Sequence, residues 1–433
     1  MISHIWRAFL LPQGEVRVGR LHDSWLVPLV FTIVFAAGGP VLAHSQSAYL
    51  PAVSVSSSQL AAFPPISPPS PRPAVIAKPP STPGTSEASV LGASTGPPQT
   101  FAYGLAAGGG LGSLSDDQLN AELADIKSLG ITWVRYDLDW SNIQAGGPGQ
   151  YDWSDYDRVV TAVRAHGLNS LPILDFTPGW AQNQACSGSK FCEPAQPSAY
   201  AAFATAAVVR YSPYGVHTWE IWNEPNNSAF FQPQADPGAY TALLKAAYVA
   251  IKNVQGNATI VTGGLAPAGD SGGNLSPPDF VSGMYAAGAA GYFSALGDHP
   301  YTWPYSPAYY IQGNAWDQML AIRALMVSHG DGAKKIWITE FGAPTGGPGQ
   351  IASSGMTTSE GSDDHVTETL QAKMATDAVT TIAQYPWVGA FFWYSYQDAG
   401  TSSDTVENFF GLLRADGTRK PAYYALAQAI AAH

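Results

Sequence analysis

The chain has 433 residues and a formal net charge of −12, from 20 basic and 32 acidic side chains. Asp, Glu, Lys and Arg make up only 12% of it, with no run of five basic residues, so no nucleic-acid partner is expected, since phosphates demand a basic face. The length suits one large domain with appendages.

Arg7, Arg17 and Arg20 precede residues 25–43, which carry no charge. Val41-Leu42-Ala43 places small or modest side chains at −3 and −1 of a cleavage site before His44. Residues 1–43 therefore read as a signal peptide, or as an uncleaved signal anchor, since about 20 apolar residues can span a bilayer. Either way the remainder is expected to be secreted, or tethered to the cell envelope through this N-terminal segment. Residues 44–99 read as a disordered linker rich in Pro, Ser and Ala. Twelve of the 34 prolines fall within 51–99, where only Arg72, Lys78 and Glu87 are charged. Such a composition buries too little apolar surface to offset its ordering entropy.

From residue 100 to 433, strand and helix patterns alternate. Strands are expected at 101–107, 131–138, 169–176, 216–222, 258–263, 295–297, 335–339 and 387–396. The helices that follow them are expected at 116–129, 153–166, 198–211, 238–254, 279–287, 315–329, 367–384 and 422–432. Ser115 is placed to cap the first helix and Gly130 to end it. These alternating units predict an α/β fold, a (β/α)8 TIM barrel. An open doubly wound sheet is the competitor, but no Gly-rich phosphate fingerprint follows any strand.

Chemistry in such a barrel gathers at the C-terminal strand ends. Two strands end alike there. Thr218-Trp219-Glu220-Ile221-Trp222 runs into Asn223-Glu224-Pro225, and Ile336-Trp337-Ile338-Thr339 runs into Glu340-Phe341-Gly342. Two carboxylates so placed, Glu224 and Glu340, are what hydrolysis of a glycosidic bond requires, one as acid and one as nucleophile or base. Other candidates at strand ends are Arg135, Asp137, Asp139, Asp175, His299, Tyr301, Trp393 and Tyr394. Arg135, Asp137 and Asp139 share one face of their strand and could all point inward.

These motifs resemble the clan of retaining glycoside hydrolases with a (β/α)8 barrel and carboxylates on strands four and seven. Asn223-Glu224-Pro225 looks like its acid/base motif and Thr339-Glu340-Phe341-Gly342 like its nucleophile motif. Arg135-Tyr136-Asp137, Thr177-Pro178-Gly179-Trp180-Ala181 and His299-Pro300-Tyr301 look most like families 39 and 5. The resemblance implies that Glu224 protonates the leaving oxygen and then activates water, while Glu340 attacks the anomeric carbon. It further implies that Asn223 bonds the 2-hydroxyl of the sugar and that Arg135 and Tyr301 orient an ionised Glu340. His299 would line the same subsite, and Trp393 would form a platform beneath the ring. Arg135 serves equally as a structural ion-pair partner, for instance of Asp137, His299 as a structural histidine and Trp393 as core packing. The chain departs from the pattern in two places. It ends after the eighth helix, where family 39 xylosidases and iduronidases carry a further β-sandwich, and it has Asp175 where many family 5 enzymes have histidine.

The nine histidines are scattered and no HExxH, CxxC or EF-hand pattern occurs, so neither a catalytic metal nor another cofactor is expected. Cys186 and Cys192, the only cysteines, are expected to form a disulfide in an exported protein. The expected function is a secreted retaining β-glycosidase, acting as a monomer on a carbohydrate substrate. Trp140, Trp180, Phe230, Phe231, Trp303 and Tyr305 would line a long cleft and favour endo action. A non-catalytic carbohydrate-binding protein on the same barrel and a cell-wall transglycosylase are the alternatives. Retention of configuration calls for carboxyl groups about 5–5.5 Å apart.

Overall fold

The structure, a computed structural model, describes residues 101–355 and 365–433. The signal-peptide and linker readings for 1–99 lie outside the described residues.

Eight parallel strands close into a barrel: β1 (Ala102–Gly108), β2 (Trp133–Asp139), β3 (Asn169–Asp175), β4 (Thr218–Ile221), β5 (Thr259–Thr262), β6 (Ala295–Asp298), β7 (Lys335–Phe341) and β8 (Val388–Tyr394). Each strand hydrogen-bonds its sequence neighbours, and β8 returns to β1. The expected (β/α)8 barrel is thus the observed fold. Between the strands run helices α1 (Asp116–Ser128), α2 (Ser154–Ala165), α3 (Pro197–Tyr211), α4 (Pro237–Val254), α5 (Pro277–Ala286), α6 (Ala315–Ser328), α7 (Glu368–Ile382) and α8 (Pro421–Ala431). A short helix, Trp140–Ile143, follows β2, and a two-residue strand pair, Ile351–Ala352 with His365–Val366, follows β7. Neither was legible as periodicity, because each is too short to show a period.

Local chemistry sets the helix starts. Ser115 caps α1 in a full capping box with Gln118, as its sequence position predicts. Asp236, Asn314 and Thr367 cap α4, α6 and α7. Proline opens α3, α4, α5 and α8, where the missing N–H costs nothing.

Two apolar layers hold the barrel. Outside the strands, residues such as Leu105, Val134, Ile221, Ile260, Ile338 and Trp393 join the helices in one core. Inside, Trp337, Phe392 and Leu171 pack among Ala102, Ala106, Val261, Ala295 and Ala390, with Trp133 meeting Trp337 edge to face at 5.6 Å. Small residues on some strands make room for the large rings of others. At Gly104 a Cβ would sit 2.2 Å from the Phe392 ring, so the inner layer closes only with glycine there. Above this layer, toward the C-terminal strand ends, the interior turns ionic.

Candidate active site

β4 and β7 each deliver a carboxylate to the barrel mouth, by different backbone devices. At the end of β4, Trp222 and Glu224 have φ of 69° and 48°, left-handed values that cost non-glycine residues about 1–3 kcal/mol each. Backbone bonds hold them there: Trp222 N–H donates to the Leu174 carbonyl and Glu224 N–H to the Gly264 carbonyl, each at 3.0 Å. Pro225 keeps Glu224 out of the right-handed helical region. On β7, Ile338 pairs with Phe391 and Phe341 with Trp393, so three steps on β7 face two on β8. This β-bulge lies at Thr339 and Glu340. Consecutive side chains that simple alternation would send to opposite faces both serve the mouth: Thr339 meets His299 and Glu340 meets Arg135.

Glu224 is 1% exposed and Glu340 8%. His299 stands between them, its Nδ1 3.0 Å from Glu224 Oε1 and 3.6 Å from Glu340 Oε2. Its Nε2 lies 3.0 Å from Thr339 Oγ1. Oxygens of the two carboxylates and a ring nitrogen of His299 lie within 4.8 Å of one another, which suits the short, retaining class of separation. The imidazole fits because Gly264 offers no Cβ, which would lie 2.0 Å from Nε2 and 2.4 Å from Thr339 Oγ1. Glu340 Oε1 accepts from Arg135 Nη1 at 2.6 Å and Oε2 from the Tyr301 hydroxyl at 2.7 Å. Glu224 Oε2 accepts only a longer bond, 3.3 Å, from Asn227 Nδ2.

The two carboxyl groups are driven apart in proton affinity. Burial pushes Glu224 above the usual carboxylate range; His299 and Asn227 oppose this and nearby Glu340 adds to it. Burial acts on Glu340 in the same direction, but the charges of His299 and Arg135, with hydrogen bonds from Tyr301 and Arg135, outweigh it and hold Glu340 below its ordinary value. Paired groups whose surroundings push them apart are the mark of an acid and a base with separate tasks. Glu224, His299 and Glu340 also have the spacing of a metal site. However, Glu340 already gives both oxygens to Arg135 and Tyr301, and a guanidinium at 2.6 Å opposes a second cation.

Of the residues expected from the sequence, Arg135, Asn223, Glu224, His299, Tyr301 and Glu340 converge here. Asn223 Oδ1 accepts from Arg135 Nη2 at 2.8 Å. Arg135 pairs with Glu220 and Glu340, not with Asp137. Trp393 requires a correction: it is 0% exposed, lies in the outer layer and packs against Phe341 at 6.2 Å. A sugar cannot reach it, and Tyr394, the next residue, faces the mouth instead. Trp140 and Phe231, at 0% and 1% exposure, are core residues rather than cleft lining, whereas Trp180 is 38% exposed.

Glu220 and Glu407 escaped the sequence reading, whereas Tyr394 stood among its strand-end candidates. Glu220, fully buried, bonds Arg135 through both oxygens. Tyr394 lies within electrostatic range of Glu407, Glu340, Asp137 and Glu224, although burial is the main influence on its hydroxyl. Glu407, in the loop after β8, is pushed up to about 8 by burial, with Glu224 and Glu340 adding to the effect. Alternation with the apolar, outward-facing Trp219 and Ile221 would have flagged Glu220 as inward; no pattern marks a loop residue such as Glu407. Beside the pair, burial raises Asp137 to about 6 and Asp175 well above its ordinary range. Lys190 Nζ binds Asp139 at 2.9 Å and lies 4.1 Å over the Phe176 ring. Lys190 is carried by the loop that the Cys186–Cys192 disulfide closes, as expected.

Residues 105–187 match the model of glycosyl hydrolase family 14, a stretch that stops short of both Glu224 and Glu340. Over 60 residues the chain is 33% identical to a beta-amylase, Tri a 17, of Triticum aestivum and to a beta-amylase of Medicago sativa, in each case 14% of this chain and 12% of the relative. Among solved structures it resembles a family 39 glycoside hydrolase from Bacteroides cellulosilyticus WH2, with TM-score 0.57 and 22% identity over 76% of this chain and 63% of that one. A monomeric beta-xylosidase from Caulobacter crescentus CB15 matches with TM-score 0.54 and 19% identity, over 76% of this chain and 67% of the other. A beta-glucosidase from Exiguobacterium marinum matches with TM-score 0.51 and 15% identity, over 77% and 98%. The chain spans less than two thirds of the Bacteroides enzyme's length. At these identities the likeness establishes the fold.

Proposed function

We propose that this chain is a retaining glycoside hydrolase that cleaves β-linked sugars by double displacement. The observation that carries the reading is the pair Glu224 and Glu340: together at the barrel mouth, bridged by His299, and pushed in opposite directions in proton affinity. Glu224, protonated, gives its proton to the leaving oxygen. Glu340, ionised and oriented by Arg135 and Tyr301, attacks the anomeric carbon. Glu224, now a base, then draws a proton from the water that releases the sugar. Asn223, half-buried and anchored through its oxygen to Arg135, keeps its amide nitrogen for the 2-hydroxyl of the bound sugar. Two of the structural neighbours, named a beta-xylosidase and a beta-glucosidase, support this substrate class. Export, with the barrel released or tethered by residues 1–43, completes the proposal and rests on the sequence alone.

The test is proton NMR of the first product released from β-linked aryl glycosides and oligosaccharides. The expected result is a β-anomer that only later mutarotates. Release of the α-anomer first would rule out double displacement, and no turnover of any glycoside would favour a binding protein on the same barrel.

A further inference from the structure

The guanidinium of Arg135 has five N–H groups to place, and Glu340 receives only one of them. Nε donates to Glu220 Oε2 at 2.6 Å and Nη2 to Glu220 Oε1 at 3.0 Å. Nη2 also reaches Asn223 Oδ1 at 2.8 Å, and Nη1 alone reaches Glu340, at 2.6 Å. Glu220 Oε1 is fixed in turn by the Gly264 N–H at 3.0 Å. Arg135 is 1% exposed and Glu220 0%. The two-pronged partner of this buried cation is therefore a carboxylate that the proposed reaction never uses.

We propose that Glu220 is a positioning residue, the permanent counter-ion that keeps Arg135 neutralised while Glu340 is consumed as a covalent ester. The inference rests on the retaining reading above. In the first step a bond forms between a Glu340 oxygen and the anomeric carbon as the glycosidic C–O bond breaks. The breaking bond's electron pair leaves on the aglycone oxygen, which takes the proton of Glu224. Glu340 thereby passes from anion to neutral ester. Were it the only counter-charge of Arg135, the glycosyl-enzyme would contain a buried, unpaired guanidinium, among the most destabilising arrangements in a protein interior. With Glu220 holding Nε and Nη2, the cation stays paired before, during and after the ester exists. The other groups facing Glu340 are His299 and Tyr301 after β6, Asp137 on β2, Glu224 after β4, Tyr394 on β8 and Glu407 beyond it. Among the described residues, none of these acids other than Glu340 itself hydrogen-bonds the guanidinium.

The experiment uses the full chain, its Glu220→Gln and Glu220→Asp variants, and a dinitrophenyl β-glycoside with fluorine in place of the 2-hydroxyl. That probe forms the ester readily and loses it slowly. Labelling of Glu340 is followed by intact mass across pH. Glu220→Gln should label about 10–100-fold more slowly, the scale of one buried charge-assisted partner lost. Its acidic limb should move to lower pH, because Glu340 then faces the whole charge of Arg135. Glu220→Asp should recover part of the rate. Labelling at the wild-type rate, or an acidic limb moved to higher pH as Arg135 loosens, would overturn the counter-ion role. If Glu220→Gln does not fold, the rate and limb of Glu220→Asp are read by the same criteria. A wild type that hydrolyses no glycoside and takes no label at Glu340 removes the retaining reading and this inference with it. A labelled wild type with an indifferent variant removes this inference alone.

Discussion

Glu224 and Glu340 are the same side chain on the same barrel rim, yet their surroundings share little beyond His299. Glu340 is clamped by a cation and a phenol at 2.6 and 2.7 Å, while Glu224 has an imidazole at 3.0 Å and a weak amide contact at 3.3 Å. The backbone differs as well: a bulge turns Glu340 inward, and left-handed residues turn Glu224. The comparison teaches that acid and nucleophile are assigned by neighbours rather than by residue type. Each change below erases or exaggerates that asymmetry.

Removing either carboxylate should have the largest effect. Glu340→Ala is expected to abolish turnover of every glycoside, since no ester can form. Glu224→Ala should spare aryl glycosides with good leaving groups, and added azide should restore turnover as a β-glycosyl azide. A β-glycosyl azide from Glu340→Ala, rather than the α-azide that a single displacement in its emptied cavity would give, would reverse the assignment. Arg135→Met comes next: it removes the charge that lowers Glu340, so kcat/KM should drop about 100–1,000-fold, as when a preorganised donor is lost. The acidic limb of its pH profile should rise, the direction opposite to that expected for Glu220→Gln. Tyr301→Phe removes one hydrogen bond to Glu340 and should cost about tenfold, with a smaller rise of the same limb.

The wild-type profile itself sharpens the comparison. Activity needs Glu340 ionised, so it should fall as pH drops through a value below the ordinary carboxylate range. It also needs Glu224 protonated, so it should fall again as pH rises through a value above that range. A bell narrower than that of a free carboxylate pair would contradict both assignments. Opening the disulfide with Cys186→Ser and Cys192→Ser should have the smallest effect. Loss of so short a loop is worth about 2 kcal/mol on the chain-entropy scale. It should appear as a lower denaturant midpoint, with kcat on aryl glycosides near that of the wild type.

How much of the site is legible in the sequence follows from phase. β2 carries polar residues on one face, so Arg135 and Asp137 could be placed inward from spacing alone. β8 reads Phe391-Phe392-Trp393-Tyr394, apolar on both faces because both are buried, and nothing in such a run fixes which ring looks into the barrel. Trp393 was therefore misplaced by one residue, and one residue is a whole face. Glu340 was found by motif, although period-two counting from Trp337 and Thr339 would have sent it outward. The bulge that rescues it is invisible without the partner strand. The order and number of the barrel units, by contrast, followed from the alternation of strand and helix patterns along the chain.

The inner layer of Trp337, Phe392 and Leu171 has a consequence for traffic. It fills the barrel's interior below the carboxylates, so the site is reached from the C-terminal strand ends. In the proposed reaction the departing aglycone, the incoming water and the freed sugar share that end of the barrel. A slow-leaving aglycone would then stand in the water's path and leave time for another sugar to take its place. The ratio of hydrolysis to sugar transfer would follow the order in which molecules come and go there, as well as the chemistry at the carboxylates.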